Sequence, residues 1–334
     1  MDAIAAAQVL SEIGYLLRQD PEQRFRAKAF SAAAWSLAVD RPDLESLHES
    51  SGLTTIEGVG AGIAKVLAEL METGRSRYLD RLREEMKQPV QPDESRLDFA
   101  DYQGDIHSHS KWSDGRATML EMARGAEAMG YRYLGVTDHS PRIKVVNGLD
   151  AERLLAQSRE MAEVQAQVPG VALLQGIEVD ILEDGALDLP DMVLELLDIV
   201  IASPHVKLRQ EPAAMTERML RAVSHPHVDV IGHPTGRRPG SREGANYDFE
   251  AVFKEAARHH VALEIDCDPA RMDLSPEMAR LALELGCNFA VDADAHAPAE
   301  FAYVPMGLWM ARRAGIPKER ILNFKPLDAL TRPA

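Results

Sequence analysis

Two hydrophobic rhythms divide the chain. Over residues 1–88 apolar side chains recur three and four apart, as in Ile4, Val9, Leu10, Ile13 and Leu17, the spacing of one buried helix face. Asp20-Pro21-Glu22-Gln23 offers an N-cap followed by proline at the first helical position. The helix it opens carries Phe25, Phe30, Ala33, Ala34 and Leu37. Arg41-Pro42-Asp43-Leu44 opens another short helix, and the helix that follows Leu53–Lys65 ends near Gly74, a C-cap. Residues 89–103, with Pro89 and Pro92, are polar and predict a linker.

From residue 104 the rhythm changes. Short apolar runs alternate with helical patterns such as Thr118 to Met129 and Ala251 to His260, which argues for parallel βα units. Seven strands are predicted: 104–107, 133–139, 171–178, 199–205, 228–233, 261–266 and 288–296. They stop on His, Asp or Glu. His107 and His109 are one residue apart, so a strand would turn both imidazoles to the same side, where they can share a metal ion. In a closed parallel barrel the C-terminal strand ends converge on one face, where barrel active sites sit. This pattern predicts a multinuclear metal site in the second domain, residues 104–334.

The first domain has its own candidate chemistry. Ile56-Glu57-Gly58-Val59-Gly60 is an apolar-x-Gly-Val-Gly turn, the helix-hairpin-helix signature. Its glycines let the backbone approach a phosphate, and the N–H groups at the next helix's start face that anion. Gly58, Val59, Gly60 and Gly62 are therefore candidate nucleic-acid contacts; a plain helical hairpin or a protein-docking module is the bland alternative. Local charge does not favour DNA: residues 1–88 hold eleven Lys+Arg against fourteen Asp+Glu, a net of −3. The segment, including Phe25-Arg26-Ala27-Lys28-Ala29-Phe30, resembles the N-terminal domain of family X DNA polymerases. In eukaryotic members a lysine of the second hairpin helix performs lyase chemistry. The matching position here is Val66, with Lys65 on another helix face, so lyase activity is not expected.

The barrel segment carries a more specific resemblance. His107-x-His109, Asp114, Thr137-Asp138-His139, Gly176-Ile177-Glu178, Pro204-His205, Gly232-His233-Pro234-Thr235-Gly236-Arg237 and Asp294-Ala295-His296 resemble the motifs of the PHP (polymerase and histidinol phosphatase) domain over roughly residues 100–325. The closest flavour is the PHP domain of bacterial family X polymerases, a likeness that Asn147-Gly148-Leu149-Asp150 shares. The resemblance implies an α/β fold, a distorted seven-stranded (β/α) barrel, with three divalent metal ions. His107, His109, Glu178 and Asp294 would hold one. Glu178 would bridge to a second, completed by His205 and His233. Asp114, His139 and His296 would hold the third. Imidazole and carboxylate donors suit Mn2+, Zn2+ or Fe2+, and Asp114, where the monoesterase branch often has histidine, leans toward manganese. Glu178 and Asp294 are expected at the reaction centre. Among the cations after strand ends (Lys144, Lys207, Arg209, Arg237, Arg238), Arg237 is the favoured phosphate ligand. The polymerase palm would lie between the two domains, and only a short segment is there, so nucleotide polymerisation is not expected.

The other histidines, His48, His225, His227, His259 and His260, read as surface or structural residues. Asp105 and Asp138 read as outer partners of ligand histidines; of Glu264 and Asp266, one could face the pocket. Metal binding needs six neutral imidazoles and should weaken below about pH 6.

Composition bounds the function. The chain of 334 residues has a net charge of −16, which repels phosphodiester backbones unless a basic patch or bound cations reverse the field locally. Cys267 and Cys287 lie in apolar runs and read as reduced, consistent with a cytoplasmic protein. No apolar run is long enough to cross a membrane, and no secretory signal is legible. Three readings follow. The first is a metal-dependent phosphoesterase acting at DNA ends, as 3′-5′ exonuclease or 3′-phosphatase. The second is a phosphatase of small monoesters resembling histidinol phosphate. The third is a non-catalytic, metal-stabilised docking module of DNA repair. Oligomeric state is not legible.

Overall fold

The computed structural model describes residues 2–18, 21–85, 97–239 and 241–330. The chain divides into two compact units, 1–94 and 95–334. In the first, five helices follow one another: α1 (Ala3–Arg18), α2 (Arg24–Asp40), α3 (Leu44–Glu49), α4 (Ala61–Thr73) and α5 (Arg77–Glu85). Leu10, Ile13 and Leu17 of α1 are buried with Phe30, Ala33, Ala34 and Leu37 of α2. Phe25 departs from the expected face and is 73% exposed. It lies five residues before Phe30, about 140° around the helix from it at 3.6 residues per turn. Arg83 of α5 clamps the buried Glu12 of α1 with two hydrogen bonds of 2.7 Å. Asp43 caps α3 by accepting the Ser46 N–H, and Gly74 closes α4 in the left-handed conformation. The predicted Asp20 cap lies outside the described residues.

The second unit runs β1 (Gly104–Asp105), α6 (Met119–Met129), β2 (Tyr133–Val136), α7 (Ala151–Gln167), β3 (Ala172–Asp180), α8 (Asp191–Leu194), β4 (Ile199–Ser203), α9 (Pro212–Val223), β5 (Val230–Ile231), α10 (Phe249–His259), β6 (Ala262–Asp266), α11 (Pro276–Glu284), β7 (Phe289–Asp292) and α12 (Val304–Ala314). All seven strands are parallel and stand in sequence order. Of the predicted linker, 89–96 lies outside the described residues. Leu97, Phe99 and Tyr102 are buried, and the Tyr102 hydroxyl donates to the Val291 carbonyl at 2.8 Å.

Strand periodicity explains how one barrel interior is apolar at one end and polar at the other. Ile106, Tyr133, Leu174, Ile199, Ile201, Val230, Ala262 and Ala290 form one buried cluster. Side chains two apart share a face. Tyr133 therefore leads to His139, Leu174 to Glu178, Ile201 to His205, Ala262 to Glu264, and Ala290 to Asp294. His107 and His109 break this parity against Ile106, and His233 breaks it after β5, at a residue with φ of +26°.

Several strands are shorter than the sequence predicts, because side chains take over the ladder. Beyond β1 and β7, Asp292 accepts the Ile106 N–H at 2.8 Å, and Asp105 accepts the Ala293 N–H at 2.9 Å. Backbone pairing resumes where the His109 N–H donates to the Ala295 carbonyl at 2.8 Å. Burial pushes both carboxyls up, and for Asp105 the neighbouring Asp292 adds to it. This seam brings the first strand against the last and nearly closes the barrel.

Helix α12 approaches the barrel through Gly307, where a Cβ would stand 2.2 Å from Cys267 Sγ and 2.7 Å from Val291 Cγ1. Gly307→Ala is expected to destabilise the protein by about 1–3 kcal/mol through overpacking, read as a lower urea midpoint. Cys267→Ala in the same background should recover part of the loss, and an unchanged midpoint in Gly307→Ala would show that the helix has room there.

Candidate metal centre

The barrel's C-terminal end brings together all nine histidines and carboxylates expected as ligands. Glu178, at 0% exposure, is the hub. Its carboxylate lies 2.8 Å from His139 Nδ1 and from His233 Nε2, 3.1 Å from His205 Nε2, 3.5 Å from His107 Nε2 and 3.6 Å from His109 Nε2. Asp294 lies 3.0 Å from His109 Nε2 and 3.7 Å from His107 Nε2. Asp114, on the loop after β1, stands 3.5 Å from both His139 Nε2 and His296 Nε2.

Eight of these donors form three overlapping sets: His109, Asp114, His139 and His296; His107, His109 and Asp294; His139, Glu178 and His205. The expected ligand His233 joins none of them and meets the centre through Glu178 alone. Within each set the donor atoms lie within 4.8 Å of one another. The sets differ from the expected partition, since His109 and His139 each belong to two. Ligand atoms about 2.1 Å from a shared ion stand roughly 3.0–3.4 Å apart, close to the separations here. Six buried donors (His107 Nε2, His109 Nδ1, His139 Nδ1, His205 Nε2, His233 Nδ1 and Glu178 Oε2) make no hydrogen bond. Unpaired polar atoms are costly in an interior, and a cluster of them on soft and hard donors fits divalent metal ions.

A second row fixes the imidazoles. Glu264, at the end of β6, lies 2.6 Å from His107 Nδ1 and accepts the His233 backbone N–H at 2.5 Å. Asp180, two residues after Glu178 on the same face of β3, lies 3.1 Å from His205 Nδ1. Asp138 gathers the Ser110 and Ser113 N–H and hydroxyl groups together with the Gln157 amide. It thereby anchors the loop that carries His109 and Asp114. Such partners orient a ligand and select its tautomer.

Charge at the centre is unevenly distributed. Burial opposes ionised Glu178, but His205, His139 and His107 overcome it and hold the carboxyl well below its ordinary value. Burial likewise opposes charge on His139, and Glu178 and Asp114 outweigh it to raise the imidazole to about 10. His296 is raised to about 9 against burial by Asp114 and Asp294. Burial, then the neighbouring cations, press His109 to about 3; burial and Arg271 do the same to His233. Burial lifts Glu264 to about 7.

Two functional candidates escaped the sequence reading. Asp180 was legible, being two residues from Glu178 along one strand face. Arg271, on the loop after β6, had no signal: no motif residue adjoins it, and only the fold brings its Nε to 3.2 Å from Asp294. Arg237 does not join the cluster; its guanidinium donates to the Met272 carbonyl. In the first unit Gly58 has φ of +77°, and a Cβ would stand 3.3 Å from the Ala33 nitrogen of α2. Cβ atoms at Gly60 and Gly62 would meet nothing within 4 Å, so that backbone is open at the start of α4. The Val59 side chain is buried, as is Val66, which leaves Val59 only its backbone for an outside contact. A cavity of about 610 Å³ adjoins the turn, lined by Arg26, Phe30, Gly60, Val66 and Tyr78 among others.

Comparison with known proteins agrees with both units. A helix-hairpin-helix domain model matches residues 2–76 and a PHP domain model matches residues 105–267. The DNA polymerase/3′-5′ exonuclease PolX of Bacillus subtilis (strain 168) is 38% identical over 231 residues, 69% of this chain; the chain spans only 40% of that relative's length. A probable phosphatase of Thermoanaerobacter sp. (strain X514) is 32% identical over 232 residues, 66% of this chain. Among solved structures, histidinol phosphate phosphatase from Lactococcus lactis subsp. lactis Il1403, complexed with zinc, L-histidinol and phosphate, gives a TM-score of 0.45 at 14% identity, over 64% of this chain and 94% of that one. That likeness is too slight to build on. Identity of 32% sustained over 89% of the Thermoanaerobacter relative's length makes the chain a member of the PHP family, with a helix-hairpin-helix domain before its PHP domain.

Proposed function

We propose that this chain is a metal-dependent phosphoester hydrolase acting at DNA ends, as a 3′-5′ exonuclease or 3′-phosphatase. The observation that carries the hydrolase reading is the convergence of eight imidazole and carboxylate side chains, with His233 beside Glu178, on one largely buried centre where six donor atoms make no hydrogen bond. We assign His107, His109, Asp114, His139, Glu178, His205, His233, Asp294 and His296 to hold divalent ions, manganese, zinc or iron. Ions bound there would lower the pKa of water and polarise the phosphoryl oxygens. Glu178 and Asp294 supply the negative charge that holds the ions. Glu264 and Asp180 keep the Nδ1 faces of His107 and His205 occupied, which leaves each Nε2 toward the centre. Among the described residues no serine or cysteine nucleophile is built into the cluster, and the two cysteines are buried elsewhere.

The substrate argument rests on the loops. Lys111, Lys144, Lys207, Arg209 and Arg238 are exposed, follow β1, β2, β4 and β5, and are without an ion-pair partner among the described residues. By contrast, Arg75, Arg77, Arg83, Arg221 and Arg258 all pair with carboxylates. Free cations around the mouth of an acidic protein suit a polyanionic strand. The open backbone at Gly60 and Gly62 supports a contact between the helix-hairpin-helix domain and DNA. The Bacillus relative's name includes a 3′-5′ exonuclease. A phosphatase of small monoesters is the second reading, favoured by the net charge of −16 and by relatives named as probable phosphatases.

The first test uses manganese-loaded protein with a 5′-labelled single-stranded oligonucleotide, and a small phosphomonoester in parallel. A ladder shortening from the 3′ end is expected, with Glu178→Gln slowing it by at least about 10²-fold. An intact oligonucleotide beside released phosphate would replace this reading with the monoesterase. Reversing Lys144, Lys207 and Arg209 to glutamate should raise KM for the oligonucleotide about tenfold more than for the monoester, and should flatten its salt dependence by ~0.7 per lost phosphate contact. Equal effects on both substrates would remove the strand from the argument.

The pH dependence differs from the sequence expectation of a fall below about pH 6. Without metal, His139 and His296 stay protonated until about 10 and about 9. His107 and His205 are raised as well, against burial, by Glu264 and Glu178. Metal needs all of these imidazoles neutral, so loading at pH 7.5 expels protons from the centre, and apparent affinity keeps rising with pH through that range. Calorimetry in buffers of different ionisation enthalpy reads this directly; binding heats independent of buffer would contradict it.

A further inference from the structure

Among the described residues Arg271 is the one arginine or lysine ion-paired with an expected metal ligand at the centre. It follows β6 and is 8% exposed. Its Nε lies 3.2 Å from Asp294 Oδ2 and 3.3 Å from Asp266 Oδ2, yet it makes no hydrogen bond with either. Among the described residues none of its other guanidinium N–H groups donates a hydrogen bond either. Nε is a buried donor that is ion-paired without a hydrogen bond, and Nη1 and Nη2 are left for a partner outside the described residues.

The backbone that presents Arg271 is held from outside. The Thr235 N–H and hydroxyl each donate to Asp273 at 2.9 Å, and Arg237 donates to the Met272 carbonyl. Within the loop, the Arg271 and Met272 N–H groups donate to the Asp268 carbonyl at 2.8 and 2.9 Å. The loop is thus fixed on both sides of Arg271, while the guanidinium is ion-paired through Nε with Asp294 and Asp266 and makes no hydrogen bond among the described residues. Its charge reaches the centre, where it helps to keep His233 neutral. Five donors in a rigid planar fork match two oxygens of a phosphoryl group.

We propose that Arg271 grips the phosphoryl group at the metal centre through its guanidinium, an assignment that rests on the phosphoester hydrolase reading above. Arg237, the sequence candidate for this task, acts instead as a brace for the loop that carries Arg271.

The test titrates inorganic phosphate into the manganese-loaded full chain by calorimetry, with metal content per chain measured alongside. Arg271→Gln is expected to weaken phosphate binding at least about tenfold and to lower kcat/KM by about 10²-fold, at unchanged metal content. Arg271→Lys keeps the charge and should recover part of the phosphate affinity, which also covers the case of a poorly folded glutamine variant. Unchanged phosphate affinity in Arg271→Gln at full metal loading overturns the assignment while leaving the hydrolase reading intact. Metal loss from both variants also overturns it, making Arg271 a support for Asp294. A wild-type chain that neither binds phosphate nor releases it from any ester sinks the hydrolase reading, and this one with it.

Discussion

A single carboxylate buried among five imidazoles constrains the rest of the second unit. Glu178 is wholly removed from water with His107, His109, His139, His205 and His233 within 3.6 Å of it. An isolated buried charge is too costly to keep, so its surroundings must carry compensating positive charge. Protons on the histidines do this in the metal-free chain, and divalent ions do it better because they also satisfy the unused donor atoms. The arrangement needs five imidazoles delivered to one point from four strand ends, which is what parallel strands in sequence order achieve. The outer carboxylates of Glu264, Asp180 and Asp138 then keep rings and loops from relaxing inward onto Glu178.

Much of this was legible because strand alternation and metal chemistry share one period. Leu174 and Glu178 sit on the same face of β3, and an apolar run ending in a ligand states both the core and the site; Asp294 lies two residues past β7, at φ of +48°. What was not legible depends on contacts between distant loops. Glu264 could be placed at a strand end, but its choice of His107 as partner needs β1 and β6 to be folded around one interior. Arg271 and Arg237 are both loop cations after strand ends, and the sequence pointed to Arg237 because it ends the 232–237 motif while no motif residue adjoins Arg271. Only the packing of Met272 against Arg237 separates the brace from the guanidinium beside Asp294. The short β1 was overestimated for a related reason: Asp105 and Asp292 accept amides that a backbone ladder would otherwise take.

The first unit shows the limit of helical periodicity. The pattern found α1 and α2 but counted Phe25 with the buried face, although five residues of helix carry it well away from Phe30. At the glycine turn, conformation and openness separate the roles that sequence lumped together. Gly58 is required by its positive φ and by its approach to α2, whereas Gly60 and Gly62 have space around them. The first is explained by folding alone; the other two are not, and surface glycines at a helix start leave the backbone accessible.

The net charge of −16 weighs less against a nucleic-acid substrate than its size suggests. At physiological salt a charge is screened beyond about 8 Å, so an approaching strand responds to the loops it meets and not to the whole surface. Acidic residues at the centre, Asp114, Glu178 and Asp294, would be offset by the ions they bind. Others, such as Asp138, Asp150 and Asp248, are engaged in holding loops or capping helices. The exposed Lys111, Lys144, Lys207, Arg209 and Arg238 lie on the loops after the strand ends, with Glu211 and Glu243 the exposed carboxylates beside the last two. A small monoester carries its charge on one phosphoryl group and can use the centre alone. Cations spread over four loops are of use only to a substrate with charges spaced along it, and that favours the strand.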